Sequence, residues 1–292
     1  MNIKAFIDRL IPDSIALKRK YKNAMGKKLN LKHPKSFNEK IQWLKLFDRK
    51  EQYVQLVDKY EVKNIVSKWI GEEYIIPTLG IYNHFCDINF SNLPEKFVLK
   101  CTHDSGSVKV CLNKNTTDFS EWEKWFEWHL KTNFSYKFRE WVYKDIKPRI
   151  IAEEYIDSLD KKGVVDYKFF CFNGTPELLY ISIGLDNHTT AKISFYDMQG
   201  NEMLFHRSDY NQYNDAVFPN NFSKMKEIAK TIAKKIDNPF VRIDLYSLEN
   251  KVYFSEITFY PNAGFIPFFP PEWDNTLGDL IKLPCDKIIK TE

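Results

Sequence analysis

This sequence of 292 residues lacks the features that mark membrane-spanning, secreted and disordered chains. No apolar run approaches the roughly 20 residues that a helix needs to cross a bilayer. The N-terminal segment already carries charges at Lys4, Asp8 and Arg9, which is not typical of a signal peptide. The five cysteines are scattered and include no C-x-x-C pair, so the sequence indicates neither a disulfide framework nor a zinc site and favours a reducing cytoplasm.

What the sequence does contain is typical of a globular protein. Hydrophobic residues make up 43% and charged residues 28% of the chain, which excludes general disorder. Residues 1–50 hold 14 Lys/Arg against 4 Asp/Glu, a net charge of +10, so the remainder is net −6. This basic segment predicts an anionic partner, such as a polyanionic glycan or a membrane surface, or else a solvated basic face on packed helices. Nucleic acid is not indicated, because no nucleic-acid-binding motif accompanies the charge.

Residues 1–75 predict an N-terminal helical unit, because apolar residues recur there at helical spacing. The first amphipathic stretch ends at Pro12, and it either packs against the body or lies on a membrane as a peripheral contact. The predicted helices occupy residues 3–11, the segment that begins with the capping box of Ser36 and Glu39, and residues 58–70.

The remainder of the chain alternates strand-like and helical segments, which predicts an α+β fold. We divide it into residues 76–157 and residues 158–292. Predicted strands occupy residues 95–101, 149–156, 165–173, 177–183, 192–197, 240–246 and 252–258, and predicted helices begin near Ser120 and at Ser223.

The most informative segment is a predicted hairpin formed by the last two strands. Alternation on the first strand sends Arg242 and Asp244 to one face, and Glu256 and Thr258 share a face on the second. Two carboxylates that meet in this way repel each other unless a cation lies between them, and Mg²⁺ suits such a pair. The alternative is a surface salt bridge between Arg242 and Asp244 on a solvated sheet face.

Three further polar motifs lie on or beside predicted strands. Lys100 precedes the small, polar turn 103–107, an arrangement that can hold a phosphate or form an ordinary turn. Residues 153 and 154 are adjacent acids within a predicted strand. Because successive side chains of a strand point to opposite faces, one of the two must point inward. Residues 166–168 place an acid and a base on one strand face, where a structural ion pair is the default interpretation.

The order and spacing of these motifs resemble the ATP-grasp superfamily and, more closely, the TupA-like ATP-grasp family of bacterial surface-polysaccharide biosynthesis. The resemblance spans about residues 35–283. It rests on the segments Ser36–Trp43, Asp58–Tyr60, Lys100–Gly106, Glu153–Tyr155, Asp166–Phe170 and Glu256–Pro261. It implies an ATP-grasp fold in which two α+β lobes, residues 76–157 and 158–292, clamp ATP behind the N-terminal helical unit.

The resemblance also implies roles for individual residues. The cofactors would be ATP and Mg²⁺, and Thr258 stands where many relatives have asparagine, with Asn262 as the alternative. The nucleotide would contact Lys59 or Lys63, Lys100, the flap Ser105, Gly106 and Ser107, and the hinge Glu153, Glu154, Tyr155 and Ile156. The metal ligands would be Asp244, Glu256 and Thr258, the catalytic residues Arg242 and Lys168, and the substrate-side residues His103, Asp166 and Asn262.

The implied activity is a carboxylate–amine ligase that forms an amide through an acyl-phosphate. The partners would be a small-molecule amine and an anionic glycan or nucleotide-sugar, so that an amino acid or amine is joined to a uronic acid of a capsular or cell-wall polysaccharide. A glycosyltransferase and a kinase on the same fold are the alternatives, although no D-x-D motif occurs in the chain. A non-catalytic glycan-binding protein is a third alternative. The expected location is cytoplasmic, including the inner face of the membrane.

Overall fold

The computed structural model describes residues 10–156, 164–184, 190–214 and 216–284. The helices are α1 (Asp13–Met25), α2 (Phe37–Phe47), α3 (Gln52–Val57), α4 (Glu61–Ile70), α5 (Phe119–Lys131), α6 (Ser135–Phe138), α7 (Phe222–Ile236) and α8 (Trp273–Leu280). The strands are β1 (Thr78–Tyr82), β2 (Phe97–Cys101), β3 (Val108–Cys111), β4 (Ile150–Glu154), β5 (Asp166–Phe172), β6 (Thr175–Ile183), β7 (Lys192–Asp197), β8 (His206–Arg207), β9 (Phe240–Leu248), β10 (Lys251–Thr258) and β11 (Phe268–Phe269).

The described residues form two compact units. The larger unit lies within Met1–Lys50 and Ser158–Glu292, and the smaller unit lies within Glu51–Asp157. Residues 51–75 are thus part of the smaller unit, whereas the three-part division drawn from the sequence places them with the N-terminal helices. None of the helices in the described ranges is long and apolar enough to cross a membrane.

The smaller unit is built on a four-stranded antiparallel sheet in the order β1-β4-β2-β3. Phe97, Leu99 and Cys101 alternate along β2 and are buried on one face together with Phe126 of α5. Because successive side chains of a strand point to opposite faces, Lys100 is turned away from this apolar core.

The larger unit contains a five-stranded antiparallel sheet in the order β10-β9-β5-β6-β7. Helix α7, which confirms the helix predicted to begin at Ser223, packs on one face of the sheet and buries apolar residues at helical spacing. They are Met225, Ile228, Ile232 and Ile236. On the opposite face, the ring of Phe37 in α2 contacts Phe240 with a centroid separation of 4.9 Å.

Helix α2 begins with the capping box that the sequence predicts. Ser36 Oγ accepts a hydrogen bond from the Glu39 N–H, and Glu39 Oε2 accepts one from the Ser36 N–H, both at 3.3 Å. The Asn38 amide donates to the Ile266 carbonyl oxygen at 2.9 Å, and the Asn38 N–H donates to Asp274 Oδ1 at 2.9 Å. These bonds join the N-terminal helices to the C-terminal segment, which explains why α1 and α2 belong to the larger unit.

Other sequence predictions need adjustment at their boundaries. The helix predicted over residues 58–70 begins at Glu61, because Asp58 does not continue a helix and its Oδ1 instead accepts hydrogen bonds from the N–H groups of Tyr60 and Glu61. The preceding helix α3 and the strands β1 and β3 were not predicted. The amphipathic helix predicted over residues 3–11 lies almost wholly outside the described residues.

Candidate active site

The predicted C-terminal hairpin is confirmed, and its register brings the two predicted acids opposite each other. Strands β9 and β10 are joined at residues 249–250, which have φ of 48° and 63°. Positive φ at both positions is typical of a type I′ turn, which aligns neighbouring strands tightly. Glu256 pairs with Asp244, and Thr258 pairs with Arg242. The two carboxylates therefore lie on adjacent strands, on the same face of the sheet.

A β-bulge at Ser255 determines which face Glu256 reaches. Phe254 pairs with Leu245, and both are buried on the face that α7 covers. The next pair along the strands is Glu256 with Asp244, so Ser255 is an extra residue without a partner. An extra residue reverses the alternation of side chains beyond it. Without the bulge, Glu256 would share the apolar face with Phe254.

One nitrogen atom of Arg242 contacts all three predicted metal ligands. Its Nη2 donates to Asp244 Oδ2 at 2.7 Å, to Thr258 Oγ1 at 3.0 Å and to Glu256 Oε1 at 3.2 Å. Its Nε donates to Asp244 Oδ1 at 2.7 Å, which makes the contact to this carboxylate bidentate. Arg242 and Asp244 are both buried, so the alternative of a salt bridge on a solvated face is wrong. In this structure the guanidinium is the cation between the two acids.

Lys168 joins the same cluster from the neighbouring strand β5. Its Nζ donates to Asp244 Oδ2 at 2.7 Å and to Asp166 Oδ1 at 3.1 Å. Burial lowers the pKa of Lys168, but the charges of Asp166 and Asp244 outweigh this effect and hold the pKa well above its ordinary value. The ion pair predicted from the sequence between Asp166 and Lys168 is thus present, as part of a larger network.

The carboxyl groups of this network differ in their electrostatic surroundings. Burial raises the pKa of Asp244, but the charges of Arg242 and Lys168 reverse this and hold the pKa below its ordinary value. Burial also raises the pKa of Asp166, and Lys168 offsets the rise only in part. With Glu256 the cluster contains three acids and two bases, a formal charge of −1. An additional cation is therefore electrostatically favourable.

Tyr180 is a member of the cluster that the sequence analysis did not identify. Its hydroxyl group accepts a hydrogen bond from Arg242 Nη1 at 3.2 Å, and the guanidinium carbon lies 5.7 Å from the centroid of its ring. Tyr180 is buried and pairs with Lys168 across β5 and β6. Alternation within the predicted strand 177–183 offered a signal, but only the register against β5 assigns Tyr180 to this face.

In the smaller unit, Glu153 lies between two of the lysines expected to contact phosphates. One of its oxygens is ion-paired with Lys63 and the other with Lys100, whose Nζ lies 2.7 Å away. Burial raises the pKa of Glu153, but the charges of Lys100 and Lys63 outweigh this and lower it to about 2. The three side chains carry a formal charge of +1. This cluster therefore attracts an anion.

Of the turn 103–107, which contains the predicted flap, His103, Asp104 and Ser107 are buried. Asp104 accepts hydrogen bonds from Ser107 Oγ and from His129 Nδ1, the latter at 2.6 Å, and Lys59 donates to the Asp104 carbonyl oxygen. His103 is also buried, and its Nε2 donates to the His129 carbonyl oxygen at 3.1 Å. In this structure only Ser105 and Gly106 of the turn are exposed. His103 and Ser107 are buried and hydrogen-bonded in this structure, and their expected contacts with substrate and nucleotide stay predictions.

The remaining predicted site residues have local partners. The Glu154 N–H donates to the Pro77 carbonyl oxygen at 3.1 Å, so this hinge group is engaged in the sheet. The ring of Tyr155 lies 5.6 Å from Lys96 Nζ, and Ile156 is half-buried. Asn262 is exposed and its amide donates to the Phe265 carbonyl oxygen at 2.8 Å within its own turn. The roles of these residues stay predictions.

The oxygen atoms around Arg242 Nη2 are chemically suited to bind a divalent cation. Two carboxylates and a hydroxyl are hard oxygen ligands of the kind that Mg²⁺ takes. Both oxygens of Asp244 accept hydrogen bonds from Arg242 or Lys168, but Oδ1 accepts only one, and the side chain of Glu256 is 38% exposed. Within the described ranges no three His, Cys, Asp or Glu side chains form a metal-binding group. The predicted metal ligands include only two such side chains, Asp244 and Glu256, together with the hydroxyl of Thr258.

The two antiparallel sheets with their packed helices are consistent with an α+β ATP-grasp fold. A family model described as TupA-like ATPgrasp matches residues 39–282. The chain belongs to this family.

Comparison with solved structures gives more distant similarities. The D-alanine–D-alanine ligase from Helicobacter pylori is 18% identical with a TM-score of 0.47, and the match covers 86% of this chain and 67% of that one. The ATP complex of the D-alanine–D-alanine ligase from Bacillus anthracis is 14% identical with a TM-score of 0.42, and the match covers 77% of this chain and 63% of that one. No curated protein sequence matches significantly. The family assignment rests on the family model.

Proposed function

We propose that this chain is an Mg²⁺–ATP-dependent carboxylate–amine ligase. The observation that carries the proposal is the convergence of Asp244, Glu256 and Thr258 on Arg242 Nη2 in a member of the TupA-like ATPgrasp family.

The proposed reaction has two steps. A substrate carboxylate attacks the γ-phosphate of ATP, which gives an acyl-phosphate and ADP, and an amine then attacks the acyl carbon and releases phosphate. Mg²⁺, held by Asp244 and Glu256 with Thr258, would neutralise phosphate charge when bound. Arg242 and Lys168 stabilise the negative charge that develops on the transferring group and on the acyl oxyanion. Removing one such donor raises the barrier by about 2.7–4 kcal/mol.

In the smaller unit, the proposal assigns phosphate binding to Lys63 and Lys100. Their ion pairs with Glu153 fix both ammonium groups near one carboxylate, and the trio carries a formal charge of +1. A nucleotide phosphate beside this trio is therefore electrostatically favourable. Lys59 acts differently, since its bond to the Asp104 carbonyl oxygen holds the turn that carries Ser105 and Gly106.

We propose further that the carboxylate belongs to a uronic acid of a capsular or cell-wall glycan, or of a nucleotide-sugar precursor, and that the amine is an amino acid or other small amine. The resemblance to surface-polysaccharide enzymes supports this substrate class. The reaction is assigned to the cytoplasm, where ATP and Mg²⁺ are available.

The first test compares the ligands that distinguish the competing activities. Thermal unfolding of the chain is followed with Mg²⁺–ATP and with UDP-sugars. Stabilisation by Mg²⁺–ATP is expected, and the ligase proposal fails if UDP-sugars raise the Tm while Mg²⁺–ATP does not.

The second test identifies the chemistry. ADP release is screened against uronic acids and amino acids, with the carboxylate of the active acid labelled with ¹⁸O. A ligase that forms an acyl-phosphate transfers one labelled oxygen to inorganic phosphate and requires the amine for amide formation. A kinase instead gives a stable phosphorylated product without an amine, and this outcome would replace the ligase assignment.

A further inference from the structure

Helix α1 exposes a stripe of cations together with an apolar side chain. Ile15, Lys18, Arg19 and Lys22 are spaced i, i+3, i+4 and i+7, so they lie on one face of the helix. All four are exposed, and Ile15 is 50% exposed. The opposite face packs into the larger unit through residues 16, 17 and 21, which are buried. The packing of the helix therefore holds the stripe on the surface of the larger unit.

Among the described residues, the acids nearest to this stripe in the sequence are engaged with other groups. Asp13 is ion-paired with Arg49 at 2.8 Å, and Glu39 is buried in the capping box of α2. After α1 the chain continues with further exposed basic residues. They are Lys28, Lys32 and Lys35. A surface of one charge sign extends over this part of the larger unit and favours an anionic partner.

Exposed apolar side chains beside the cations favour a lipid surface over a hydrated polyanion. Leu10 is 71% exposed and lies just before α1, and Ile15 is within the stripe itself. A soluble polyanionic polymer offers no apolar phase for these two side chains. An anionic bilayer accepts them at the boundary between headgroups and acyl chains, and it attracts the lysines and the arginine electrostatically.

We propose that α1, with Leu10, docks the larger unit on an anionic lipid surface. The lipid headgroups contact Lys18, Arg19 and Lys22, and Leu10 and Ile15 insert at the interface. This inference is independent of the ligase proposal, because none of these residues belongs to the candidate active site.

The test measures binding of the full chain to sedimenting vesicles. Phosphatidylcholine vesicles that contain phosphatidylglycerol are compared with pure phosphatidylcholine vesicles, at low and at high salt. Binding is expected only with the anionic lipid, and it should weaken as salt screens the charges. Absence of binding to the anionic vesicles would overturn the proposal.

Two pairs of matched variants distinguish the contribution of the stripe to vesicle binding from the effects of net charge and of surface hydrophobicity elsewhere on the protein. The triple reversal K18E/R19E/K22E should weaken vesicle binding by at least about tenfold. The control K230E/K234E/K235E makes the same change in charge at exposed positions of α7 and should weaken binding far less. Ile15→Ser should also weaken binding, whereas Leu204→Ser, at a side chain that is 89% exposed, should not. Thermal unfolding verifies that each variant is folded.

Each outcome of these comparisons either supports or overturns the proposal of lipid docking. Equal losses in the two charge-reversal variants would overturn the proposal in favour of non-specific attraction. Unchanged vesicle binding by Ile15→Ser, together with displacement by soluble dextran sulfate, would overturn it in favour of a polyanionic polymer. Selective loss in K18E/R19E/K22E and in Ile15→Ser supports lipid docking.

Discussion

Glu153 should stabilise the smaller unit in a way that depends on pH. Its carboxylate is buried between Lys63 and Lys100, and its pKa is lowered from 4.5 to about 2. A group whose pKa is lower in the folded than in the unfolded state stabilises the fold above its unfolded pKa. This stabilisation is lost as the pH falls from 4.5 towards 2.

The expected magnitude follows from the shift in pKa. A shift from 4.5 to about 2 corresponds to about 3 kcal/mol of stability when the group is ionised. Between about pH 6 and about pH 3, about 2 kcal/mol of this contribution should disappear.

The assay is urea unfolding of the wild type and of Glu153→Gln at a series of pH values. Glutamine keeps the shape of the side chain but cannot titrate, so the difference in free energy of unfolding between the two proteins should shrink as the pH falls. Glu123→Gln, at an exposed position of α5 in the same unit, serves as the control and should change stability by less than about 0.5 kcal/mol. A wild-type minus Glu153→Gln difference that stays constant with pH would refute the reasoning.

Three further substitutions test the buried networks. Asp244→Asn leaves two buried cations without their shared counterion and should destabilise the larger unit by about 3–5 kcal/mol in urea unfolding; a loss below 1 kcal/mol would contradict the described network. Tyr180→Phe removes one hydrogen bond to the guanidinium of Arg242 and should cost about 1–2 kcal/mol by the same measurement, whereas unchanged stability would show that this bond contributes nothing. Asp104→Asn weakens the anchor of the turn at His129 and should raise the KM for ATP more than it lowers kcat, measured by ADP release. An effect on kcat alone would argue against a positioning role.

The sequence predicts the pairing of β9 with β10 and the meeting of the two acids, but not the β-bulge between them. Alternation of apolar and polar residues defined both strands, and the acids were expected to meet. The extra residue Ser255 could not be inferred, because bulges depend on packing across the sheet rather than on local composition. It is also the feature that lets Phe254 and Glu256 point to opposite faces.

In the smaller unit, the sequence identifies the charged residues but does not predict their ion pairs. Lys63, Lys100 and Glu153 were each identified as candidates, but their mutual ion pairs depend on the arrangement of one helix and two strands that are distant in the chain. The polar turn 103–107 has the composition of an exposed loop. Its burial arises from the partner His129 on α5, which no local pattern reveals.

The central claim is that Asp244, Glu256 and Thr258 form a metal–nucleotide site around Arg242. Titration calorimetry of ATP with and without Mg²⁺ tests it most directly. Mg²⁺ should strengthen ATP binding to the wild type and to the control Glu249→Gln, which lies exposed in the turn of the same hairpin. In Glu256→Gln the gain from Mg²⁺ should fall by about tenfold or more. An unchanged gain in Glu256→Gln would contradict the assignment.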